Sequence, residues 1–322
     1  MAEMIRLREL TKKFGSLIAV DGISLAVGRG EVLGFLGPNG AGKSTTMKMV
    51  SGFLAPTSGS ASICGHDVAE EPVKVKSRIG YLPERGPSYG DMTPRSFLNF
   101  IAAIRGFDGN ERTRRVEQTA ERLGLGEVLG QTIDTLSKGF KSRVGLAQAI
   151  LHDPEVLMLD EPTDGLDPNQ KHHVRNLIRE MAEDKAIIVS THILEEVDAV
   201  CTRAVIIARG QLLTDGTPEE LLARSSHRNS VLITMDASTV ESVEKEIAAL
   251  SSVEGIDILD GLEDRAKLRV LPKQGRPIAI EISDLIRAKN LPVQELHVEK
   301  GSLDEVFRDI IRASEDRVEG DA

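Results

Sequence analysis

The sequence lacks most of the features that anchor or cross-link a protein chain. Cysteine occurs only twice in 322 residues, at Cys64 and Cys201, which predicts two reduced thiols rather than a disulfide framework. No run of about 18 apolar residues occurs, so the sequence predicts no membrane-spanning helix. The first residues also lack the apolar core of a signal peptide. We therefore predict a cytoplasmic chain, in which any membrane function requires a partner.

An excess of basic residues is also missing. The chain carries 50 acidic and 40 basic side chains, which gives a formal charge of −10. Binding to nucleic acid needs basic surface that displaces counterions from the phosphates, so this balance argues against a nucleic-acid partner and against adhesion to anionic lipid. The 40% apolar and 28% charged residues are typical of a globular protein, and the length suits one large and one small domain.

The first part of the chain has the pattern of an α/β protein. Several short runs are largely apolar, and the later ones each adjoin a helical pattern, which is typical of buried parallel strands. Predicted strands lie at 5–10, 18–27, 32–36, 156–159, 186–189 and 204–207. We assign residues 1–220 to this α/β domain.

A helical block separates the early strands from the late ones. Residues 94–105 and 111–123 have apolar side chains at helical spacing, and Gly106 and Gly124 follow them as stop signals. The block predicts a helical subdomain at about 85–150, which is too short to contain an inserted coiled coil.

The last third of the chain has a different pattern. From residue 229 it predicts a strand, a helix, two strands, a helix and a strand, with an added helix at 302–313. This order suits a small accessory α+β domain of the ferredoxin-like type at 229–313. Residues 314–322 are predicted to be a polar tail.

A glycine-rich segment carries the clearest chemical signal. Residues 37–44 match the pattern GxxxxGK[ST], after an apolar strand and before a helical stretch at 44–50. The glycines allow backbone N–H groups to converge on phosphate oxygens, and the helix directs its positive end at the same anion. Lys43 is predicted on the β- and γ-phosphates of a nucleotide and the Ser44 hydroxyl on Mg²⁺. The predicted binding segment comprises Gly37, Pro38, Asn39, Gly40, Ala41, Gly42, Lys43, Ser44 and Thr45.

Two adjacent carboxylates follow the predicted strand at 156–159. Asp160 is expected to hold the metal ion, directly or through water, and Glu161 to polarise the attacking water. An apolar strand followed by two acidic residues is common on its own. Combined with the upstream loop, it indicates a site that hydrolyses a nucleotide bound with Mg²⁺.

A family resemblance becomes specific at the segment Leu136-Ser137-Lys138-Gly139-Phe140, which precedes a predicted helix at 141–151. This segment resembles the signature motif of ATP-binding cassette (ABC) ATPases, and the family's other motifs also occur in their expected order over about residues 1–220. Their counterparts are Phe14 for the aromatic residue that stacks on adenine, Glu84 for the coupling-loop glutamine, Asp167 for the D-loop aspartate and His192 for the switch histidine. The resemblance implies the P-loop NTPase fold, with ATP and Mg²⁺ as ligands.

The resemblance also implies a role for the histidine. His192 is expected to contact the γ-phosphate and to hold Glu161 and the attacking water in register, while Asp167 helps to couple two nucleotide sites. Lys43, Glu161 and His192 are therefore the expected catalytic residues.

Each match has a simpler interpretation when taken alone. Phe14 could be a core residue, and Glu84 could be a surface carboxylate. His192, which ends a Ser-Thr-His run, could belong to a turn or to a hydrolase triad, although the sequence contains no GxSxG elbow. The order and spacing of the whole set favour the family interpretation over these alternatives.

The signature segment departs from the family pattern at two positions. Lys138 and Phe140 replace the usual glycine and glutamine. Ser137 and Gly139, which in the family present a hydroxyl and a backbone N–H to the γ-phosphate, are retained. Recognition of the phosphate is therefore expected, while the neighbouring contacts differ.

Two departures lie elsewhere in the motif set. Glu84 adds a carboxylate near Asp160 and Glu161, which is expected to raise at least one carboxyl pKa or to tighten Mg²⁺ binding, and so Glu84 joins Ser44 and Asp160 as a metal candidate. Phe14 replaces the usual tyrosine, so stacking on adenine is retained and the hydroxyl contact is lost.

The resemblance implies partners as well. Ser137 and Gly139 are expected to close over the ATP of a second subunit, either another copy or a paralogue, so that two chains enclose two ATP molecules. Residues 85–92 are expected to meet a transmembrane permease at the inner face of the cell membrane. The segments at 80–84 and 302–307 resemble the ABC-2-type exporter branch, whose C-terminal domain is expected to be regulatory or dimer-stabilising.

Two alternatives remain at this point. A soluble ABC mechanoenzyme acting on DNA or ribosomes would carry a long insertion or two tandem cassettes, and this sequence has neither. A nucleotide-sensing module without turnover is disfavoured because Glu161 and His192 are both present. The contacts of a transported substrate are expected to lie in the permease.

Overall fold

The computed structural model describes residues 3–84, 86, 89–259 and 265–320. Two compact units are present, with the boundary between Thr217 and Pro218. Within the described part of the chain, no helix is both long and apolar enough to cross a membrane.

Two expectations about particular residues can be compared with the structure directly. Cys64 and Cys201 are free thiols, as predicted. The predicted docking segment at 85–92 is only partly described, because residues 85, 87 and 88 lie outside the described residues.

The first unit begins with an antiparallel sheet. Its strands are β1 (Glu3–Phe14), β2 (Leu17–Gly28), β4 (Ser58–Ile63) and β5 (His66–Asp67), in the order β2-β1-β4-β5. Ile5 and Leu7 of β1 are buried, whereas Arg6 and Arg8 are exposed, so one face of the sheet covers the core. The strands predicted at 5–10 and 18–27 are confirmed.

A second sheet forms the centre of the first unit. Its strands are β3 (Val32–Leu36), β6 (Ile79–Leu82), β7 (Val156–Asp160), β8 (Ala186–Thr191), β9 (Arg203–Ala208) and β10 (Gln211–Gly216), in the order β10-β9-β3-β8-β7-β6. Neighbouring strands are parallel, except that β10 is antiparallel to β9. Every residue of β3, β7 and β8 is buried, which confirms the prediction of buried parallel strands.

The register of this sheet fixes where its chemistry can lie. Leu36 is paired with Thr191, and Asp160 with Ser190, so β3, β7 and β8 end at the same edge. Ligands of open α/β sheets bind at the carboxyl ends of the strands. The loops after these three strands therefore form the natural place for a site.

Helices accompany the central sheet. They are α1 (Lys43–Val50), α2 (Pro72–Arg78), α3 (Pro94–Ile104), α4 (Gly109–Arg122), α5 (Lys138–Ile150), α6 (Pro168–Ala182) and α7 (Leu194–Val200). At the start of α3 the Thr93 hydroxyl accepts a hydrogen bond from the Ser96 N–H, and Gly106 follows the helix at φ 86°. The two helices predicted between 94 and 123 are therefore present.

The start of α5 corrects one expectation. The sequence predicts a helix at 141–151 after the signature segment, but the helix begins at Lys138. The Ser137 side chain caps it by accepting a hydrogen bond from the Phe140 N–H. Because a serine cap satisfies one of the first backbone donors, Lys138 and Gly139 can form the first helical turn.

The second unit contains a separate antiparallel sheet. Its elements are α8 (Pro218–Leu222), β11 (Val231–Asp236), α9 (Val240–Ala248), β12 (Val253–Leu259), β13 (Arg265–Pro272), α10 (Ala279–Lys289), β14 (Val293–Val298) and α11 (Leu303–Gly320). The strand order is β12-β13-β11-β14, and neighbouring strands are antiparallel. This is the βαββαβ arrangement of a ferredoxin-like unit.

The ends of the second unit differ from the expectation. The compact unit begins at Pro218 rather than at residue 229, so it includes α8. The predicted helix end at Ala313 is wrong, since α11 continues to Gly320. Residues 314–319 are mostly polar but contain neither glycine nor proline, so no residue stops the helix before Gly320.

Candidate functional site

The glycine-rich loop joins β3 to α1 and approaches other parts of the backbone closely. Gly42 adopts φ 104°, and a Cβ there would lie 2.5 Å from the carbonyl oxygen of Ala19. A Cβ at Gly37 would lie 2.3 Å from the carbonyl oxygen of Ile207. Only glycine fits these two positions, so the loop can turn tightly over the end of the sheet.

Lys43 lies inside this loop. Its Nζ donates hydrogen bonds to the carbonyl oxygens of Gly37, at 2.6 Å, and Pro38, at 3.1 Å. Burial lowers the pKa of Lys43, and the charges of three carboxylates, those of Glu161, Asp160 and Glu84, oppose that shift. The ammonium group therefore lies in the field of the carboxylates while backbone carbonyls hold it.

The start of α1 suits a phosphate group. The helix has no side-chain cap and no acidic residue in its first turn, so the N–H groups of Lys43, Ser44 and Thr45 have no partner within the helix. A cavity of about 350 Å³ adjoins them. Its lining residues are Ala19, residues 39–45, Glu84, Glu161, Asp164 and His192. Uncapped N–H groups beside a lysine form a site for an anion.

Asp160 ends β7 and is buried. Its Oδ1 accepts a hydrogen bond of 2.5 Å from the Ser190 hydroxyl of β8. Glu161, the next residue, adopts φ 52°, which is rare for a residue with a side chain. Its N–H donates to the Ser190 carbonyl oxygen at 3.0 Å. This conformation ends the strand and places the Glu161 side chain in the lining of the phosphate cavity.

The Glu161 carboxylate contacts His192. The Oε1 atom of Glu161 lies 2.9 Å from Nδ1 of His192, which follows β8. Burial raises the pKa of Glu161, and the hydrogen bond and charge of His192, together with the charge of Lys43, reduce the rise. A carboxylate with a raised pKa is a stronger base, so Glu161 is suited to accept a proton.

The oxygen donors of this edge fit a magnesium ion only in part. Asp160 lines a second cavity of about 420 Å³, which shares Glu84, Glu161 and Asp164 with the phosphate cavity. Carboxylate and hydroxyl oxygens are the ligands that Mg²⁺ prefers. Among the described residues, however, no cluster of three or more His, Cys, Asp or Glu side chains could hold a metal ion. Phosphate oxygens and water would have to complete the coordination.

Six of the predicted site residues line neither cavity: Phe14, Gly37, Pro38, Ser137, Gly139 and Asp167. The Phe14 ring is about half exposed, and the Lys12 Nζ lies 5.2 Å from its centre. Asp167 caps α6 by accepting a hydrogen bond of 2.9 Å from the Gln170 N–H. Gly139 lies so close to Gln170 that a Cβ would come within 2.6 Å of its Oε1.

Sequence reasoning missed two groups near the site. Lys138 pairs with Asp164 at 2.7 Å, and Asp164 lines both cavities. Glu196 of α7 is 3% exposed and accepts hydrogen bonds from Thr163, in the loop after β7, and from Thr191, the last residue of β8. The available signal was a glutamate among the apolar residues Leu194 and Val197 of a short helix, where a buried carboxylate is unusual.

The chain is similar to known proteins in both sequence and fold. Residues 20–164 match the ABC transporter family. The probable multidrug ABC transporter ATP-binding protein YbhF of Escherichia coli (strain K12) is 38% identical over 241 residues, which are 74% of this chain and 42% of YbhF. The chain thus corresponds to less than half the length of that relative.

Two further similar proteins match this chain over nearly their whole length. A solved structure of the ATP-binding subunit of an ABC transporter is 30% identical, with a TM-score of 0.63 over 68% of this chain and 91% of that one. The uncharacterized ABC transporter ATP-binding protein YxlF of Bacillus subtilis (strain 168) is 31% identical over 310 residues, which are 96% of this chain and 100% of YxlF. The chain therefore belongs to the ATP-binding proteins of the ABC transporter family, the ABC ATPases.

Proposed function

We propose that this ATPase is the motor subunit of an ABC exporter, and that it works as a dimer with separate transmembrane permease subunits. The observation that carries the proposal is Glu161, a base beside the phosphate loop that His192 contacts at 2.9 Å. A partly desolvated carboxylate in a rare backbone conformation is a frequent feature of catalytic sites.

Nucleotide binding would begin at the loop. The N–H groups at the start of α1 receive phosphate oxygens, because the helix end is positive and uncapped. Lys43 exchanges its carbonyl partners, Gly37 and Pro38, for oxygens of the β- and γ-phosphates. The loop thus already holds the ammonium group next to the place that the phosphates would take.

Three oxygen donors would hold the metal ion. Ser44 and Asp160, with Glu84 nearby, are the residues of the two cavities that suit Mg²⁺. When it is bound, Mg²⁺ neutralises negative charge on the phosphate oxygens. The hydrogen bond from Ser190 keeps one Asp160 oxygen occupied and leaves the other available as a ligand.

Glu161 would act on the attacking water. The water oxygen forms a bond to the γ-phosphorus while Glu161 accepts a proton, and the bond from that phosphorus to the leaving oxygen of ADP breaks. The products are ADP and inorganic phosphate. His192 keeps the carboxylate directed toward the water through its Nδ1 contact, so that base and nucleophile stay aligned.

A second chain would complete the site. Ser137 and Gly139 do not line the cavity of their own chain, which supports a role at the γ-phosphate of a second copy or of a paralogue. Phe14 would stack on the adenine, and Asp167 would connect the two sites. Each ATP would then stabilise the closed dimer, and loss of the γ-phosphate would allow it to open.

The most specific part of the proposal is that the transporter exports its substrate. The name of YbhF describes a probable multidrug ABC transporter, which supports an exporter. The ABC-2 type, and a position at the inner face of the membrane through the permease, rest on the resemblance of the segments at 80–84 and 302–307. The second unit, from α8 to α11, would act as an accessory domain that regulates or stabilises the dimer.

Replacement of the base tests the catalytic part. We expect Glu161→Gln to lower ATP turnover at least about 100-fold and to trap ATP in a stable dimer, as measured by phosphate release and light scattering. Glu183→Gln, at an exposed position, is the matched control and should retain turnover. Native turnover by Glu161→Gln would contradict the assignment of the base.

The transport part needs a separate measurement. ATP hydrolysis should be compared with and without membrane vesicles that contain a permease encoded beside this chain, which we expect to have about six spanning helices of roughly 20 residues each. We expect the permease to change the rate of hydrolysis. A rate that is indifferent to the permease would refute the motor function and leave the ATPase assignment intact.

A further inference from the structure

Glu196 is a buried carboxylate that the proposed mechanism does not use. It lies in the short helix α7, and only 3% of its surface is exposed. Leu194, Val197 and Val200 of the same helix are buried apolar residues, so an apolar side chain would suit this position as well. Removal of a carboxylate from water costs free energy unless hydrogen bonds compensate for it.

Both oxygens of Glu196 accept hydrogen bonds from segments of the site. The Oε1 atom accepts one from the Thr163 hydroxyl, and the Oε2 atom accepts one of 3.0 Å from the Thr191 hydroxyl. Thr163 lies two residues after Glu161, and Thr191 directly precedes His192. One buried side chain therefore joins the loop that carries the base to the segment that carries the histidine.

The charges near Glu196 affect its pKa but do not hold its carboxylate in place as the hydrogen bonds do. Burial raises the pKa of Glu196, the hydrogen bond from Thr191 and the charges of two basic residues of α6 lower it, and the charge of Glu161 raises it. One of those basic residues, Arg175, pairs with the exposed Glu195 at 3.2 Å. Within the described part of the chain, the two threonine hydroxyls are the side-chain groups that donate hydrogen bonds to the Glu196 carboxylate.

We propose that Glu196 is a positioning residue for ATP hydrolysis, whose carboxylate holds the loops after β7 and β8 at the separation at which Glu161 and His192 touch. The proposal rests on the proposed function. Apart from Glu196 and the contact between Glu161 and His192 itself, the hydrogen bonds described between the two loops lie where the strands end, and they link Asp160 and Glu161 to Ser190. Without Glu196, the contact between Glu161 and His192 lengthens. A displacement of about 1 Å at a reacting group can lower a rate about 100-fold.

Steady-state kinetics of the full chain test the proposal. We expect Glu196→Ala to lower kcat for ATP about 10- to 100-fold while KM stays within about two-fold, because the phosphate loop is untouched. Glu196→Gln retains an acceptor oxygen and should recover most of the rate. Glu195→Ala is the matched control, since this neighbouring glutamate is exposed, and it should retain the native kcat. A native kcat in Glu196→Ala would overturn the proposal.

A variant at one of the threonines that donate to Glu196 tests whether Glu196 acts through the loops. Thr163→Val removes one donor with little change of shape, and we expect it to lower kcat in the native chain. In a chain that already carries Glu196→Ala, the same change should lower kcat less than about two-fold, because the shared contact is gone. Equal effects in the two backgrounds would overturn the proposal, since Thr163 would then act independently of Glu196.

A crystal structure of Glu196→Ala separates this proposal from the proposed function. We expect the distance between Glu161 Oε1 and His192 Nδ1 to exceed about 3.5 Å in the variant. An unchanged distance of 2.9 Å would overturn the positioning role, even if kcat falls. If native chain and Glu161→Gln hydrolyse ATP equally, the proposed catalytic role of Glu161 fails, and this distance alone decides whether Glu196 holds the loops together.

Discussion

The two units contain partly or fully buried carboxylates whose pKa values are shifted in opposite directions. In the first unit, burial raises the pKa values of Glu161 and Glu196 above the usual glutamate range. In the second unit, burial alone would raise the pKa values of Glu299 and Glu305 too, but hydrogen bonds to both outweigh it and their pKa values lie below that range.

For Glu161 and Glu299 the difference follows from the donors around each carboxylate, whereas at Glu196 burial outweighs the hydrogen bonds from two threonines. The Glu299 carboxylate accepts hydrogen bonds from the Arg269 guanidinium, at 2.7 and 3.0 Å, and from the Ser230 hydroxyl at 2.5 Å. A carboxylate that accepts several hydrogen bonds is stabilised in its charged form, which favours folding. Glu161, in contrast, is partly desolvated beside His192, so its charged form stays reactive. The second unit uses its carboxylates for stability, whereas the role proposed for Glu161 in the first unit is chemical.

The largest expected effect concerns His192, which contacts the proposed base Glu161. We expect His192→Ala to lower kcat about 100-fold, because the Glu161 carboxylate loses its orientation. On acidification, the rate should also fall at a higher pH, since the hydrogen bond and charge that lower the pKa of Glu161 are removed. The measurement is kcat against pH, with the exposed His172→Ala as control. An acid limb that stays in place would show that Glu161 and His192 do not act together.

A smaller effect is expected from the second unit. Glu305, on α11, accepts hydrogen bonds from the Ser225 and Ser226 hydroxyls and lies 3.1 Å from Nδ1 of His227. We expect Glu305→Ala to lower the free energy of unfolding of this unit by about 2 kcal/mol, because it leaves these partners without their acceptor. Hydrogen exchange of α11 in the full chain measures the change, and ATP turnover should stay within about two-fold.

The pH dependence of this stability difference and a control variant test its cause. The folded-state pKa of Glu305 is lowered, so its stabilising contribution is present above the pKa of the unfolded chain and is lost as the pH falls through the lowered value. The difference between native chain and Glu305→Ala should therefore shrink toward low pH. Asp309→Ala, at an exposed position of α11, should have little effect. A difference that persists at low pH would mean that packing, not charge, makes the contribution.

The sequence predicted those parts of the molecule that depend on local pattern. The buried strand β3, the glycine loop after it and the order of the motifs are predictable, because each needs particular residue types at short spacing. The βαββαβ order of the second unit is predictable for the same reason. The start of α5 is not, since it depends on whether the Ser137 side chain accepts the Phe140 N–H.

Features that depend on tertiary packing were not predictable. The burial of Glu196 depends on which face of α7 packs against the sheet. The few apolar residues of this short helix do not determine that face from the sequence alone. The left-handed backbone conformation of Glu161 was not predictable either, because glutamate rarely adopts it. Family resemblance alone assigns Phe14 and Ser137 to the nucleotide, and a single chain does not bring them to the phosphate cavity.

The smallest expected effect tests the contrast between the units by thermal stability alone. The folded-state pKa of Glu161 is raised, so its charged form destabilises the folded chain above the pKa of the unfolded state. Glu161→Gln removes that charge without a change of shape, and we expect the first unit to gain a small amount of stability at about pH 7 and none near pH 4. Glu305→Gln should have the opposite sign at neutral pH. Calorimetry of both variants at the two pH values makes the measurement, and equal signs would mean that burial, rather than the surrounding donors, governs both carboxylates.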